Sequence, residues 1–160
     1  MAIQAGDKLP SVDLQYMGAD GVETINTDDL FAGKKVVLFA LPGAFTPTCS
    51  ASHLPGYVVH SDDIFGRGVD TIACLSVNDA FVMDAWGKAH NADDRVMMLA
   101  DGSAKFTQAV GLELDLVAAG LGVRSQRYAM VVNDGVVETL NVEAPQEFKV
   151  SDAETILGTL

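Results

Sequence analysis

Only two of the 160 residues are cysteine, three are histidine and one is tryptophan. Two cysteines, Cys49 and Cys74, do not make a disulfide framework. Taken with His53, His60 and His90 they offer no compact four-ligand set of the zinc kind, so no metal site is expected. Basic residues are also scarce. Ten Lys and Arg stand against 22 Asp and Glu, for a formal net charge of −12. A chain this acidic repels nucleic acid and anionic lipid, which argues against both as partners. Long apolar runs are missing too. The longest, residues 36–45, is interrupted by Pro42 and Gly43 and is far shorter than the roughly 20 apolar residues of a membrane span. The start, Met1 to Lys8, has no basic stretch leading into an apolar one. A reducing, cytoplasmic setting is the resulting expectation.

What is present is an ordinary globular composition, 49% hydrophobic and 20% charged. The length suits one domain spanning residues 1–160 with a sizeable core. No repeat, low-complexity tract or linker interrupts it. The pattern predicts an opening β-hairpin, residues 12–16 with 22–25, and a short helix at 28–31 capped by Thr27. Residues 35–41 read as a buried strand. The loop 42–47 leads to a helix from about Thr48 to Phe65, which Pro55 must kink or divide. A strand at 69–77, a helix at 79–90 capped by Asn78 or Asp79, a short strand at 96–99 and a helix at 103–110 follow. Gly120 to Gly122 reads as a turn. Strands at 127–132 and 136–142 flank an Asp134-Gly135 hairpin turn. Ser151 and Glu154 predict a capping box for a last helix. The expected fold class is α/β, a mixed central sheet flanked by helices. A cysteine in the first turn of a helix that follows a strand is the thioredoxin-like arrangement.

That cysteine carries the chemistry. A helix N-terminus has unsatisfied N–H groups and partial positive charge. A thiol there loses its proton more readily, and the thiolate is the nucleophile. Pro42 and Pro47 stiffen the loop before Cys49. Thr46 puts a hydroxyl about one turn ahead of the sulfur, ready to bind a small polar substrate.

Pro42, Thr46 and Cys49, in the run Pro42-Gly43-Ala44-Phe45-Thr46-Pro47-Thr48-Cys49, resemble the peroxiredoxin signature. The continuation His53-Leu54-Pro55-Gly56-Tyr57, the stretch Leu75 to Val82, Ala100-Asp101-Gly102 and Arg127 to Val132 resemble the peroxiredoxin-5 and plant type II branch. The likeness runs from the first hairpin to the last helix. It implies a thiol peroxidase that reduces hydrogen peroxide and alkyl hydroperoxides without metal or organic cofactor. It implies Cys49 as the peroxidatic nucleophile, Thr46 as a ligand of the peroxide oxygens and Pro42 as the shield of the sulfur. Arg127 would stabilise the thiolate and the charge developing on the peroxide. Arg124 is the rival for that role, with Arg127 preferred because it abuts its strand as the family's arginine does. The same Cys49 would also serve a non-enzymatic peroxide sensor or a holdase, and turnover separates these from an enzyme.

Cys74, in the apolar run Ile72 to Val77, reads as a packed core thiol. In the animal peroxiredoxin-5 pattern a resolving cysteine lies near the C-terminus. Here Val150 stands about where it would be. The resemblance therefore implies resolution by an external thiol, glutathione with glutaredoxin ahead of thioredoxin. His53, four residues after Cys49, reads as a residue supporting the first turn. Phe45, Phe81 and Trp86 read as aromatics in or near loops. The resemblance places the loops of the first two at a homodimer interface.

Overall fold

The computed structural model describes residues 1–160. Its centre is a seven-stranded sheet in the order β2-β1-β5-β4-β3-β8-β9. The strands are β1 (Asp13–Gly18), β2 (Gly21–Asn26), β3 (Lys35–Ala40), β4 (Thr71–Ser76), β5 (Met97–Ala100), β8 (Tyr128–Asn133) and β9 (Val136–Val142). β3, β4 and β5 run parallel, while the hairpins β1–β2 and β8–β9 join them antiparallel. The sheet is mixed, as the alternation of elements predicts.

Side-chain alternation along the central strands divides the core. Val37 and Phe39 of β3, Ile72 and Cys74 of β4, and Ala129 and Val131 of β8 face one layer, which also holds Cys49. Their neighbours Val36, Leu38, Ala73, Leu75, Tyr128 and Met130 face the other. The first layer is covered by α2 (Leu54–Val59), α3 (Ser61–Phe65), α4 (Ala80–Ala89) and α6 (Ala153–Leu157). The second is covered by α1 (Thr27–Phe31) and α5 (Lys105–Ala109). Both cysteines thus lie on the same side of the sheet, each buried and unpaired.

Asp134 and Gly135 both adopt positive φ, 48° and 79°, as a two-residue turn of the Asp-Gly kind requires. Other local expectations are corrected. The cap of α1 is Asn26, whose side chain accepts from the Asp28 N–H. Thr27 instead ties the backbone of Pro10 and Val12 through its hydroxyl. The cap of α6 is Asp152, not Ser151, because the Ser151 hydroxyl is taken by Glu143. Asp79 caps α4 by accepting from the Val82 N–H at 2.8 Å. Trp86 is not in a loop; it lies inside α4 and is fully buried. A second small sheet was not predicted: β6 (Glu113–Leu116) pairs with β7 (Gly122–Ser125) around the expected glycine turn.

The helix expected over 48–65, kinked or divided at Pro55, is three pieces, and its breaks fall beside His53 and His60. After helical residues Pro47 and Thr48 it passes into a π-helical turn, Cys49–His53, in which the Leu54 N–H reaches back five residues to the Cys49 carbonyl. Pro55 then sits in the first turn of α2 and, having no N–H, makes no helical bond back into the π turn. The irregularity falls on the cysteine-bearing turn, a common position for π-bulges.

Candidate active site

The loop from β3 to Cys49 is held from several directions. Thr46 closes a turn by donating its hydroxyl to the Gly43 carbonyl at 2.7 Å. Its own carbonyl accepts from the Ser50 N–H at 2.9 Å, so the helix starts with Pro47 at its first position. Asn78 accepts from the Ala44 N–H at 3.0 Å and from the Ser76 hydroxyl at 2.6 Å. Between the prolines, Phe45 takes a left-handed backbone, φ 64°, a conformation that costs a side-chain-bearing residue about 1–2 kcal/mol. The turn beyond Cys49 is anchored by α4, where the Trp86 indole N–H donates to the Ser50 hydroxyl at 3.0 Å.

Arg124 and Arg127 separate cleanly. The Arg127 Nη2 donates to the Cys49 Sγ at 3.1 Å. Arg124 points at backbone: its Nη1 donates to the Pro42 carbonyl at 3.0 Å and its Nε to the Leu121 carbonyl at 2.8 Å. It clamps the active loop to the β6–β7 hairpin. Gly43 makes room for it, since a Cβ there would lie 2.5 Å from the Arg124 Nη1.

His53 is wired to Arg127 rather than simply supporting the turn. Its Nδ1 lies 2.8 Å from the Arg127 Nη1, and its Nε2 lies 3.2 Å from the Ser151 carbonyl. A guanidinium only donates and a carbonyl only accepts. The proton therefore sits on Nε2, and Nδ1 accepts from Arg127. Burial, then the charge of Arg127, pull His53 down to about 3 from its ordinary 6.5. The imidazole is neutral at physiological pH. The Tyr57 hydroxyl donates to the same Ser151 carbonyl at 2.7 Å, and its ring stacks on Phe39 with centroids 4.0 Å apart. Phe148 covers the group from outside, 5.8 Å from the Arg127 guanidinium carbon and 5.0 Å from the His53 ring.

A groove of about 450 Å³ opens beside these residues, lined among others by Pro42, Thr48, Leu114, Leu116, Arg127 and Phe148. Cys49 lies beneath the surface with no exposed area. Cys74 is buried within β4. Burial, then the neighbouring Cys49, push its thiol well up, so it is protonated and inert. No group of three or more His, Cys, Asp or Glu is placed to hold a metal ion.

The structure thus brings Cys49 and Arg127 into contact, with Pro42 and Thr46 in the adjoining loop. Sequence reasoning missed the acceptor role of His53, the cover by Phe148 and the part played by the 143–151 segment. The four-residue spacing of Cys49 and His53 was the one available signal.

Comparison with known proteins agrees with this geometry. The Redoxin family model matches residues 4–157. Peroxiredoxin-2E, chloroplastic, of Arabidopsis thaliana is 50% identical, over 99% of this chain and 70% of its own length. Peroxiredoxin-2B of the same plant is 47% identical, over 99% and 98%. Among solved structures, reduced Prx3 of Vibrio vulnificus in complex with hydrogen peroxide superposes with a TM-score of 0.95 at 58% identity, covering 98% of each chain. Peroxiredoxin 5 of Alvinella pompejana gives 0.87 at 35% identity, covering 98% of this chain and 97% of its own. With the fold, the matched residues and these relatives in agreement, the chain belongs to the peroxiredoxin family of thiol peroxidases, within the branch that holds the plant type II enzymes and peroxiredoxin-5.

Proposed function

We propose that the chain is a one-cysteine peroxidase in which Cys49 reduces hydrogen peroxide and alkyl hydroperoxides. The observation that carries this reading is the 3.1 Å contact from Arg127 to the Cys49 sulfur. The Cys49 thiolate attacks one peroxide oxygen and forms an S–O bond. The O–O bond breaks, the leaving oxygen takes a proton and departs as ROH or water, and Cys49 is oxidised to sulfenic acid. Arg127 stabilises the thiolate and then the charge on the departing oxygen. Thr46 turns its hydroxyl from the Gly43 carbonyl to the peroxide oxygens, and Pro42 shields the sulfur. The relative from Vibrio vulnificus, solved with hydrogen peroxide, supports the choice of substrate.

Resolution is external. Residues 143–160 contain no cysteine, and Cys74 is sealed in the core. Glutathione condenses with the sulfenic acid, releasing water and leaving a mixed disulfide that glutaredoxin reduces by exchange. The likeness to the plant type II branch favours this route over thioredoxin. Peroxide consumption with glutathione and glutaredoxin, against thioredoxin and its reductase, decides the reductant. Cys49→Ser should abolish turnover and Cys74→Ser keep most of it. Intact-mass spectrometry after peroxide should show one added oxygen on Cys49. Quantitative loss of two hydrogens, with turnover lost in Cys74→Ser, would instead make this a two-cysteine enzyme.

The protein acts as a homodimer. Phe45 and Phe81 are 56% and 68% exposed; Phe45 is in the loop before Cys49 and Phe81 in the first turn of α4, and the Ala44–Asn78 bond joins that loop to the segment leading into α4. Two exposed aromatics on adjoining segments supply the anchors an interface uses.

A further inference from the structure

Glu143 takes no part in the attack as written above, yet it is a buried carboxylate on the groove that Arg127 lines. It follows β9, and its backbone N–H donates to the Arg127 carbonyl at 2.9 Å. Its side chain faces three consecutive backbone N–H groups. Oε2 accepts from Lys149 and Val150 at 2.9 Å and from Ser151 at 2.8 Å. The Ser151 hydroxyl donates to the same oxygen at 2.7 Å, and Oε1 shares the Lys149 N–H. Successive N–H groups converging on one carboxylate form an internal anion nest. Burial pushes the carboxyl up, but the donors from Ser151, Lys149 and Val150 outweigh it and hold Glu143 below its ordinary value. It is charged at neutral pH.

The nest fastens the segment that presses on the arginine. Residues 144–150 form no helix or strand. This segment supplies the Phe148 ring that covers Arg127 and His53. It runs into Ser151, whose carbonyl receives the His53 Nε2–H and so keeps Nδ1 free to accept from Arg127. We propose that Glu143 is a positioning residue for the peroxidatic centre, holding Phe148 and the Ser151 carbonyl so that His53 and Arg127 meet Cys49 in the reactive geometry. The inference rests on the reading of Cys49 and Arg127 given above.

The test uses a Cys74→Ser background, so that Cys49 is the one thiol reporting. Glu143→Gln keeps the size and one acceptor oxygen but removes the charge and sets an amide N–H₂ against the nest. Circular dichroism checks the fold. The rate of Cys49 alkylation by iodoacetamide and the rate of peroxide attack should both fall on the order of tenfold, the size of a lost charge-assisted hydrogen bond. The His53 ring-nitrogen NMR signals should shift. In a His53→Ala background the same change should add little, because the two act in series. A folded Glu143→Gln protein with unchanged alkylation, peroxide rate and His53 signals would overturn the proposal, as would full additivity with His53→Ala. If Glu143→Gln does not fold, Ser151→Ala, which removes only the hydroxyl donor, should give a smaller fall in both rates. Unchanged rates and His53 signals there would overturn the proposal equally. Alkylation needs no peroxide, so a wild-type protein that never turns over peroxide sinks the peroxidase reading without deciding this one.

Discussion

At the scale of single residues, two arginines three positions apart do different work. Arg127 meets a sulfur and Arg124 meets two carbonyls. Arg127→Ala should therefore cut peroxide attack by tenfold or more, the order expected for a lost hydrogen bond to a charged group. It should also slow alkylation of Cys49 by iodoacetamide. Arg124→Ala should leave both rates nearly intact and cost about 1 kcal/mol of stability through the loosened Pro42 loop. Equal losses of rate in both variants would contradict this division. That Cys49 and Arg127 meet, with Pro42 and Thr46 in the adjoining loop, was legible in the sequence because their spacing carries the resemblance. His53 was only half legible. Its position on the turn follows from spacing, but its role depends on which nitrogen holds the proton, and that is set by Ser151, far along the chain. Glu143 left no local signal at all, since its partners gather only when the loop 144–150 folds back.

At the scale of elements, the sheet and its hairpins were readable because buried parallel strands are continuous apolar runs. Helix ends were less so. Thr27 and Ser151 are good capping types, yet each is used elsewhere, and Asn26 and Asp152 cap in their place. Competition for a hydroxyl is a tertiary matter that residue type cannot decide. The β6–β7 pair escaped for a similar reason: two four-residue strands have too little pattern to stand out. Where the cap was read correctly, its worth is open to measurement. Asp79→Ala removes the acceptor for the Val82 N–H and should cost about 1 kcal/mol in urea unfolding. Asn78→Ala should do more than lower stability. It frees the Ala44 N–H and the Ser76 hydroxyl together, so the peroxide rate should fall along with the unfolding midpoint, while Asp79→Ala should leave that rate close to wild type.

At the scale of the whole molecule, acid acts through the buried network. The folded chain holds His53 down to about 3, against 6.5 ordinarily. Between those values the unfolded chain binds a proton that the folded chain refuses. Stability from this group therefore rises with pH across the window and is lost as pH falls from 6.5 toward 3, with a limiting slope of about 1.4 kcal/mol per pH unit. Glu143, held below 4.5, adds a loss of the same sign in more acid solution. His53→Gln offers an oxygen to Arg127 and an N–H to Ser151 without titrating, so it should flatten the slope between pH 6.5 and 4.5 in denaturant titrations. A slope equal to wild type would remove His53 from the account. The proposed dimer is tested on the same scale. Phe81→Asp places a charge on an exposed aromatic site and should shift sedimentation toward the monomer, with the circular dichroism unchanged.

The bond from Trp86 to Ser50 gives the molecule its own optical gauge. Trp86 is the single tryptophan, it is shielded from water, and its indole N–H rests on the residue next to the sulfur. Any opening of the cysteine-bearing turn must break that contact and let solvent reach the ring. Emission should then move to longer wavelength. Rapid mixing with peroxide, followed by a thiol, would show whether the turn opens during oxidation, during thiol attack on the sulfenic acid, or in neither step, with no dye attached.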